Sequence, residues 1–366
     1  AVGFYNEDPA SGKIKRTDRI ELDVDGELTE VPDVAGKPRP AVLLVNDDDL
    51  TYTKIRLDNE SLEFAASNLY RFDDALTRAV IWLAFWDMTR DGEFPAERFI
   101  ELSLKALATE IESTTFRYAL AQVGTTAWHY TAHDRREDVV RHVAHTLWQL
   151  ANQAQAGSDN QFQLVTAYLS YGEVGDAEFA ANAHGLLNGT VLLPGLSIDN
   201  NFRWTVIRAL ASVNEMSCDE IEAELAKRDT TENREFTMGA RASRVTEDAK
   251  RWAWNEALHN SDLTNAQIEA VAYGFSGTAR GELADPYVAK YFAGVDWVWK
   301  NKTYHMAETL LNGLYPANAD PAELVKAGDE WLAAHTDADR ALRRLVIENL
   351  AGSRRTLQVQ SYNESL

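Results

Sequence analysis

The sequence predicts a mainly α protein: a curved stack of helical hairpins preceded by a short β segment. Three observations lead there. Apolar residues recur at helical spacing from about residue 60 to the end, helix-start signals are frequent, and two-residue alternation is confined to the first 46 residues. At 366 residues the chain exceeds the size at which a single core keeps growing. About sixteen helices joined by short loops imply antiparallel neighbours, each pair packing on the next.

In the β segment, Ile20, Leu22 and Val24 alternate with Glu21, Asp23 and Asp25. That period puts one apolar face on a core. Asp25-Gly26 suits a turn with positive φ, Leu28 to Val31 reads as the returning strand, and Ala41 to Val45 is a further short strand. So small a β segment is marginal alone and should pack on a neighbour or on further chain.

In the helical part, Leu76, Ala79, Val80 and Leu83 fall at i, i+3, i+4 and i+7, as do Val288, Tyr291, Phe292 and Val295. Leu342, Leu345 and Val346 begin the same pattern. Asp134 with Glu137, Ser217 with Glu220, Thr264 with Gln267 and Asp320 with Glu323 have capping-box spacing. Pro95, Pro286 and Pro321 suit first helical turns, and Gly92 and Gly172 suit left-handed caps. The expected boundaries are residues 1–46 for a small β-sandwich segment and 47–366 for a helical domain.

Composition narrows the function classes. A net charge of -21 argues against nucleic acid, whose phosphates need a basic footprint, and against anionic membranes. Cys218 is the single cysteine, so there is no intrachain disulfide and no cysteine metal cluster, which fits a cytoplasmic location. No apolar run reaches the roughly 20 residues of a membrane span. The start at Ala1 lacks both signal-peptide features and Met, so the expectation is a piece of a longer chain.

The chemical constellations are sparse. His142 and His145 share a helix face at i, i+3, but two ligands are too few for a zinc hydrolase. His-Glu-x-x-His occurs nowhere. Asp47-Asp48-Asp49 lacks the alternation and glycine of a calcium loop and reads as a strand-to-helix junction whose carboxylates accept backbone amides. Trp297, Trp299 and Trp331, beside Val295 and Leu332, read as core. Residue patterns alone reach a helical interaction surface and no reaction.

Three stretches go further: Asn46-Asp47-Asp48-Asp49-Leu50-Thr51-Tyr52, Asp87-Met88-Thr89-Arg90-Asp91-Gly92-Glu93-Phe94-Pro95 and Gly195-Leu196-Ser197-Ile198-Asp199-Asn200-Asn201-Phe202-Arg203-Trp204. With Gly239 to Arg244, Lys250, Trp252, and Gly274-Phe275 through Asp285-Pro286-Tyr287 to Tyr291-Phe292, they run in order along the chain. Together they resemble the carboxy-terminal part of the aminopeptidase N family of zinc aminopeptidases, in its actinobacterial branch. The resemblance implies the end of a β-sandwich followed by a helical domain similar to HEAT and armadillo repeats. That domain closes over the zinc site and forms the peptide-access chamber.

It further implies a parent enzyme that removes amino-terminal residues from peptides. This chain would then hold no catalytic residue, no cofactor and no metal, with zinc bound in a missing catalytic domain. The implied partners are that catalytic domain of the same polypeptide and peptide substrates. Arg203, Arg241 and Arg244 stand in family-like stretches, and guanidinium suits a peptide carboxylate. Tyr273 and Phe275 flank a glycine in an expected loop and complete the candidate substrate contacts. The alternatives are a helical scaffold for protein partners with no enzymatic activity, and more distantly a helical carbohydrate-active protein.

Overall fold

The computed structural model describes residues 1–172, 177–277 and 280–366. The fold is mainly α, with a three-stranded sheet near the amino terminus. The chain divides into two compact units: Ala1–Thr131 with Tyr362–Leu366, and Ala132–Ser361.

The first unit holds β1 (Val2–Glu7), β2 (Ile14–Ile20) and β3 (Val42–Val45), then α1 (Asn59–Asn68), α2 (Ala75–Arg90), α3 (Ala96–Leu107) and α4 (Ser113–Thr125). The strand order is β2-β1-β3, antiparallel throughout, with Val2 opposite Ile20 on one side and Val45 on the other. The expected alternation over residues 20–24 and its return over 28–31 form no hairpin. β1 is already paired along both edges, so that segment has no ladder to join. Val24 and Leu28 are about four-fifths exposed, at 80% and 82%. Gly26 does adopt the positive φ expected of it, at 68°.

Asp47 corrects another expectation. Its carboxylate is fully buried and accepts from side chains: Tyr5 Oη at 2.6 Å and Arg16 Nη1 at 2.7 Å. Arg16 Nη1 also donates to Asp48 at 2.7 Å. Burial, then the neighbouring Asp47, push the Tyr5 phenol pKa up. Three of the four residues Asn46–Asp49 have positive φ (Asn46, Asp48 and Asp49), a conformation that short polar side chains tolerate best. The Asn46 side chain closes the turn: its Oδ1 accepts from Thr51 N–H at 3.0 Å and its Nδ2 donates to Thr51 O at 2.8 Å.

α2 forms where the periodicity places it, but the stripe is on the wrong face. Leu76 and Leu83 are exposed, whereas Ile81, Ala84, Phe85 and Met88 are buried with Val80. Several stripes of this apolar helix satisfy a 3.6-residue period, and only its neighbours choose among them.

The second unit holds α5 (Arg136–Gln153), α6 (Asp159–Leu169), α7 (Ala177–Asn188), α8 (Asn200–Ala211), α9 (Cys218–Lys227), α10 (Thr231–Ser243), α11 (Glu247–His259), α12 (Asn265–Ser276), the single turn α13 (Gly281–Ala284), α14 (Val288–Asn301), α15 (Tyr304–Gly313) and α16 (Pro321–Ala334). α17 (Arg340–Glu364) ends the chain and runs from the second unit into residues counted with the first. Val288, Tyr291, Phe292 and Val295 lie in the core of the second unit with Leu342, Leu345 and Val346, as their spacing predicts.

Ser217 with Glu220 and Thr264 with Gln267 close full capping boxes, and Asp320 accepts from Ala322 and Glu323 N–H. Asp134 does not cap: it sits in a one-turn 3-10 segment, and α5 begins after it with Arg135 as an N-cap that makes no side-chain bond. Gly92 has φ 71° as a left-handed cap should. Gly172 is not left-handed. A Cβ there would lie 2.9 Å from the Phe179 ring, so close packing is what demands glycine. Trp331 is buried and stacked on His335, but Trp297 is a surface residue edge-on to His259.

In the first unit, Glu110 is a buried carboxylate. Arg78 donates to it from Nε and Nη2 at 2.7 and 2.9 Å, and the Ile111 and Glu112 amides donate at 2.9 Å each. Burial opposes ionisation, but Arg78 and the amides outweigh it and hold the pKa below the usual glutamate value. A depressed carboxylate pKa stabilises the fold above the unfolded value, about 4.3. That contribution disappears as pH falls through the folded pKa. In urea unfolding followed from pH 6 to pH 3, the gap between wild type and Glu110→Gln should therefore shrink as acid is added. A gap independent of pH would refute this assignment.

Candidate functional site

α8, α10 and α12 lie side by side and run parallel. The Asn200 side-chain amide donates to Asn233 at 2.8 Å, joining the starts of α8 and α10. One turn on, Trp204 meets Phe236 with ring centroids 6.1 Å apart. α10 and α12 approach until backbone touches backbone: a Cβ on Gly274 would lie 2.5 Å from the Gly239 carbonyl oxygen. Their carboxy-terminal ends meet at Lys250, a fully buried side chain of α11. Its ammonium donates to the carbonyls of Ala242 at 2.9 Å, Gly274 at 3.3 Å and Phe275 at 3.2 Å. Each helix end carries roughly half a negative charge, so two together offset an ammonium taken out of water.

These three helices form a groove of about 470 Å³. α8 contributes Asn201, Trp204, Thr205 and Arg208; α10 contributes Glu235, Phe236 and Gly239; α12 contributes Ala266, Glu269, Ala270 and Tyr273. Gly239, Ala266 and Ala270 leave room where larger side chains would fill the hollow. The volume lies within the range of small-ligand clefts.

Arg208 is the notable side chain. It is open to water, yet protein surrounds it closely enough that burial lowers its pKa. Arg208, Glu235 and Glu269 make no hydrogen bond or ion pair with another described residue. Most other arginines here have acid partners within 4 Å. Unpaired ions of both signs in one groove can recognise a ligand that carries both.

The residues singled out from sequence are placed differently from one another. Arg203 donates to Glu224 at 2.8 and 3.2 Å and to the Leu187 carbonyl at 2.9 Å. Arg241 pairs with Glu222 at 2.9 Å and lies 4.4 Å over the Trp252 ring. Arg244 donates to Cys218 Sγ at 3.3 Å. Phe275 is core, against Trp254 and Tyr287. Tyr273 and Phe275 belong to helix α12 and not to a loop, because Gly274 serves helix contact.

Tyr273 alone of the five lines the groove. Arg208, Trp204, Phe236, Glu235 and Glu269 were missed as a group. The signal was present: Asn201, Trp204 and Arg208 fall at i, i+3 and i+7, one polar and aromatic stripe of α8. Among the described residues, no three His, Cys, Asp or Glu side chains are grouped so as to hold a metal. His145 lies 4.0 Å from Glu178, and nothing makes a ligand set of it and His142.

Comparison with known proteins follows the geometry. The model of the ERAP1-like C-terminal domain family matches residues 42–355. The chain is 38% identical over 361 residues to an aminopeptidase N of Streptomyces lividans, an alignment covering 99% of this chain and 42% of that relative. The chain thus spans less than half the relative's length. The resemblance read from the sequence stretches, to the carboxy-terminal part of an aminopeptidase N, agrees with both findings.

Lys250 and Gly274 set the spacing of the groove's helices and can be tested directly. Lys250→Met leaves helix-end carbonyls without their donor and should cost about 3 kcal/mol. Gly274→Ala inserts a methyl where α10 already touches and should cost about 2 kcal/mol. Urea midpoints measure both, and wild-type stability in either variant would refute the close-packed junction.

Proposed function

The chain belongs to the ERAP1-like C-terminal domain family, and on that premise we propose that it is the non-catalytic portion of a zinc aminopeptidase that removes amino-terminal residues from peptides. The observation that carries this is the 38% identity along 99% of the chain to 42% of an aminopeptidase N. In this reading the helices cap the active site of a catalytic domain in the same polypeptide and form the chamber through which peptides enter. Zinc belongs to that other domain, since no described residues here supply a ligand set. The division at residue 46, with a β-sandwich end before it and the helical domain from 47 on, is part of the same proposal, as is a cytoplasmic location. No helix among the described residues is long and apolar enough to cross a membrane.

Several features support a peptide-facing role. The groove combines aromatic walls, a small-residue floor and unpaired charge, which suits a chain of mixed side chains. Tyr273 is assigned as a peptide contact. Arg203, Arg241, Arg244 and Phe275 are assigned to the frame behind such contacts, where Glu224, Glu222, Cys218 and Trp254 already engage them.

The purified chain should bind no stoichiometric zinc by elemental analysis and should not hydrolyse a leucyl chromogenic reporter. The full reading frame should encode His-Glu-x-x-His before the segment matched here. Metal-dependent hydrolysis by this chain alone, or a reading frame with no metallopeptidase motif, would refute the proposal.

A further inference from the structure

The three unpaired ions of the groove are not scattered. Asn200 meets Asn233 and Trp204 meets Phe236, so the helices are in register along their length. Glu235 therefore lies toward the amino-terminal ends of the bundle, near the level of Asn201. Arg208 lies two turns further along α8. Gly239 abuts Ala270 and Gly274, which brings Tyr273 to the Arg208 end and leaves Glu269 one turn behind it. The groove thus has an acidic half and a basic end, with Trp204 and Phe236 between them. The seven residues from Asn201 to Arg208 rise about 10 Å. An extended peptide of about three residues has the same span.

We propose that this groove binds short zwitterionic peptides end to end, with the free amine against Glu235 and Glu269 and the free carboxylate against Arg208. The fit is chemical at each point. A carboxylate matches the planar fork of a guanidinium that has no other partner among the described residues. An ammonium matches two carboxylates that are likewise unpartnered. The Trp204 and Phe236 rings offer apolar surface to the central side chain, and the small residues beneath admit its backbone.

Arg208 stays charged while closely surrounded by protein, so an anion that displaces its water gains more than it would at a convex surface. Neutral or doubly blocked ligands lose both ionic contacts. Long peptides lose one, because the second terminus passes beyond the groove.

The reading does not depend on the catalytic role proposed above. Binding to this chain tests the groove, and the reporter assay tests the role. Isothermal titration calorimetry of the 366-residue chain with Leu-Ala-Phe in four forms is the experiment. The forms are free, N-acetylated, C-amidated and blocked at both ends. The free peptide should bind at least about tenfold tighter than either singly blocked form, and the doubly blocked form should give no heat.

Arg208→Met should abolish the difference between carboxylate and amide while keeping sensitivity to the acetyl group. The double variant Glu235→Gln with Glu269→Gln should do the reverse. Circular dichroism melts confirm that the variants fold. Equal binding of all four forms, no binding of the free peptide at roughly 10 mM, or carboxylate preference surviving in Arg208→Met would overturn the proposal.

Discussion

The second unit depends on a cation placed where two helices end. Lys250 brings an ammonium into a site with no solvent contact, where an uncompensated charge would be prohibitively costly. The carbonyls of Ala242, Gly274 and Phe275 make it tolerable. Those carbonyls belong to the last turns of α10 and α12, which lack partners within their own helices. One side chain thus solves three problems at once: two unsatisfied helix ends and its own desolvation. The arrangement holds only while the two ends stay together. It therefore fixes α10 parallel to α12, with Gly239 and Gly274 permitting the approach.

The groove follows from that constraint. Because α10 and α12 are held backbone to backbone, their outward faces carry Gly239, Ala266 and Ala270 at the floor of a hollow. α8 joins through Asn200 and Asn233 and supplies Trp204 and Arg208 as wall and end. The electrostatics are local. The chain carries a net charge of -21, yet the groove has one exposed cation that none of those acids neutralises. Sites where ions stand unpaired beside packed helices are where a ligand gains most from charge, since water competes least there.

The first unit shows the same economy with a carboxylate. Asp47 is fully buried and satisfied by Tyr5 and Arg16, and the turn that presents it uses three residues in left-handed conformation. The triple aspartate was visible in the sequence as a junction, but its donors were not. Tyr5 and Arg16 come from β1 and β2, about thirty to forty residues away, and no local rule names them. Likewise the i, i+3, i+4, i+7 stripe of α2 identified a helix and misassigned its buried side, while the stripe of α14 was right. The difference lies in composition: α2 is apolar on several faces, and α14 is not.

The sequence by itself determined the helix class, most helix starts and the family, because each is encoded locally or in ordered stretches: Ser217 and Glu220 close their box within four residues, and Val288 to Val295 mark one face within eight. Tertiary structure alone decided which charges remain unpaired. Arg203 and Arg208 are five residues apart on one helix, and nothing in their immediate sequence separates them. Arg203 meets Glu224 from α9, whereas Arg208 faces the hollow between α8, α10 and α12. The physical reason is that an ion's partner is a matter of distance in space, and sequence spacing fixes distance only within an element.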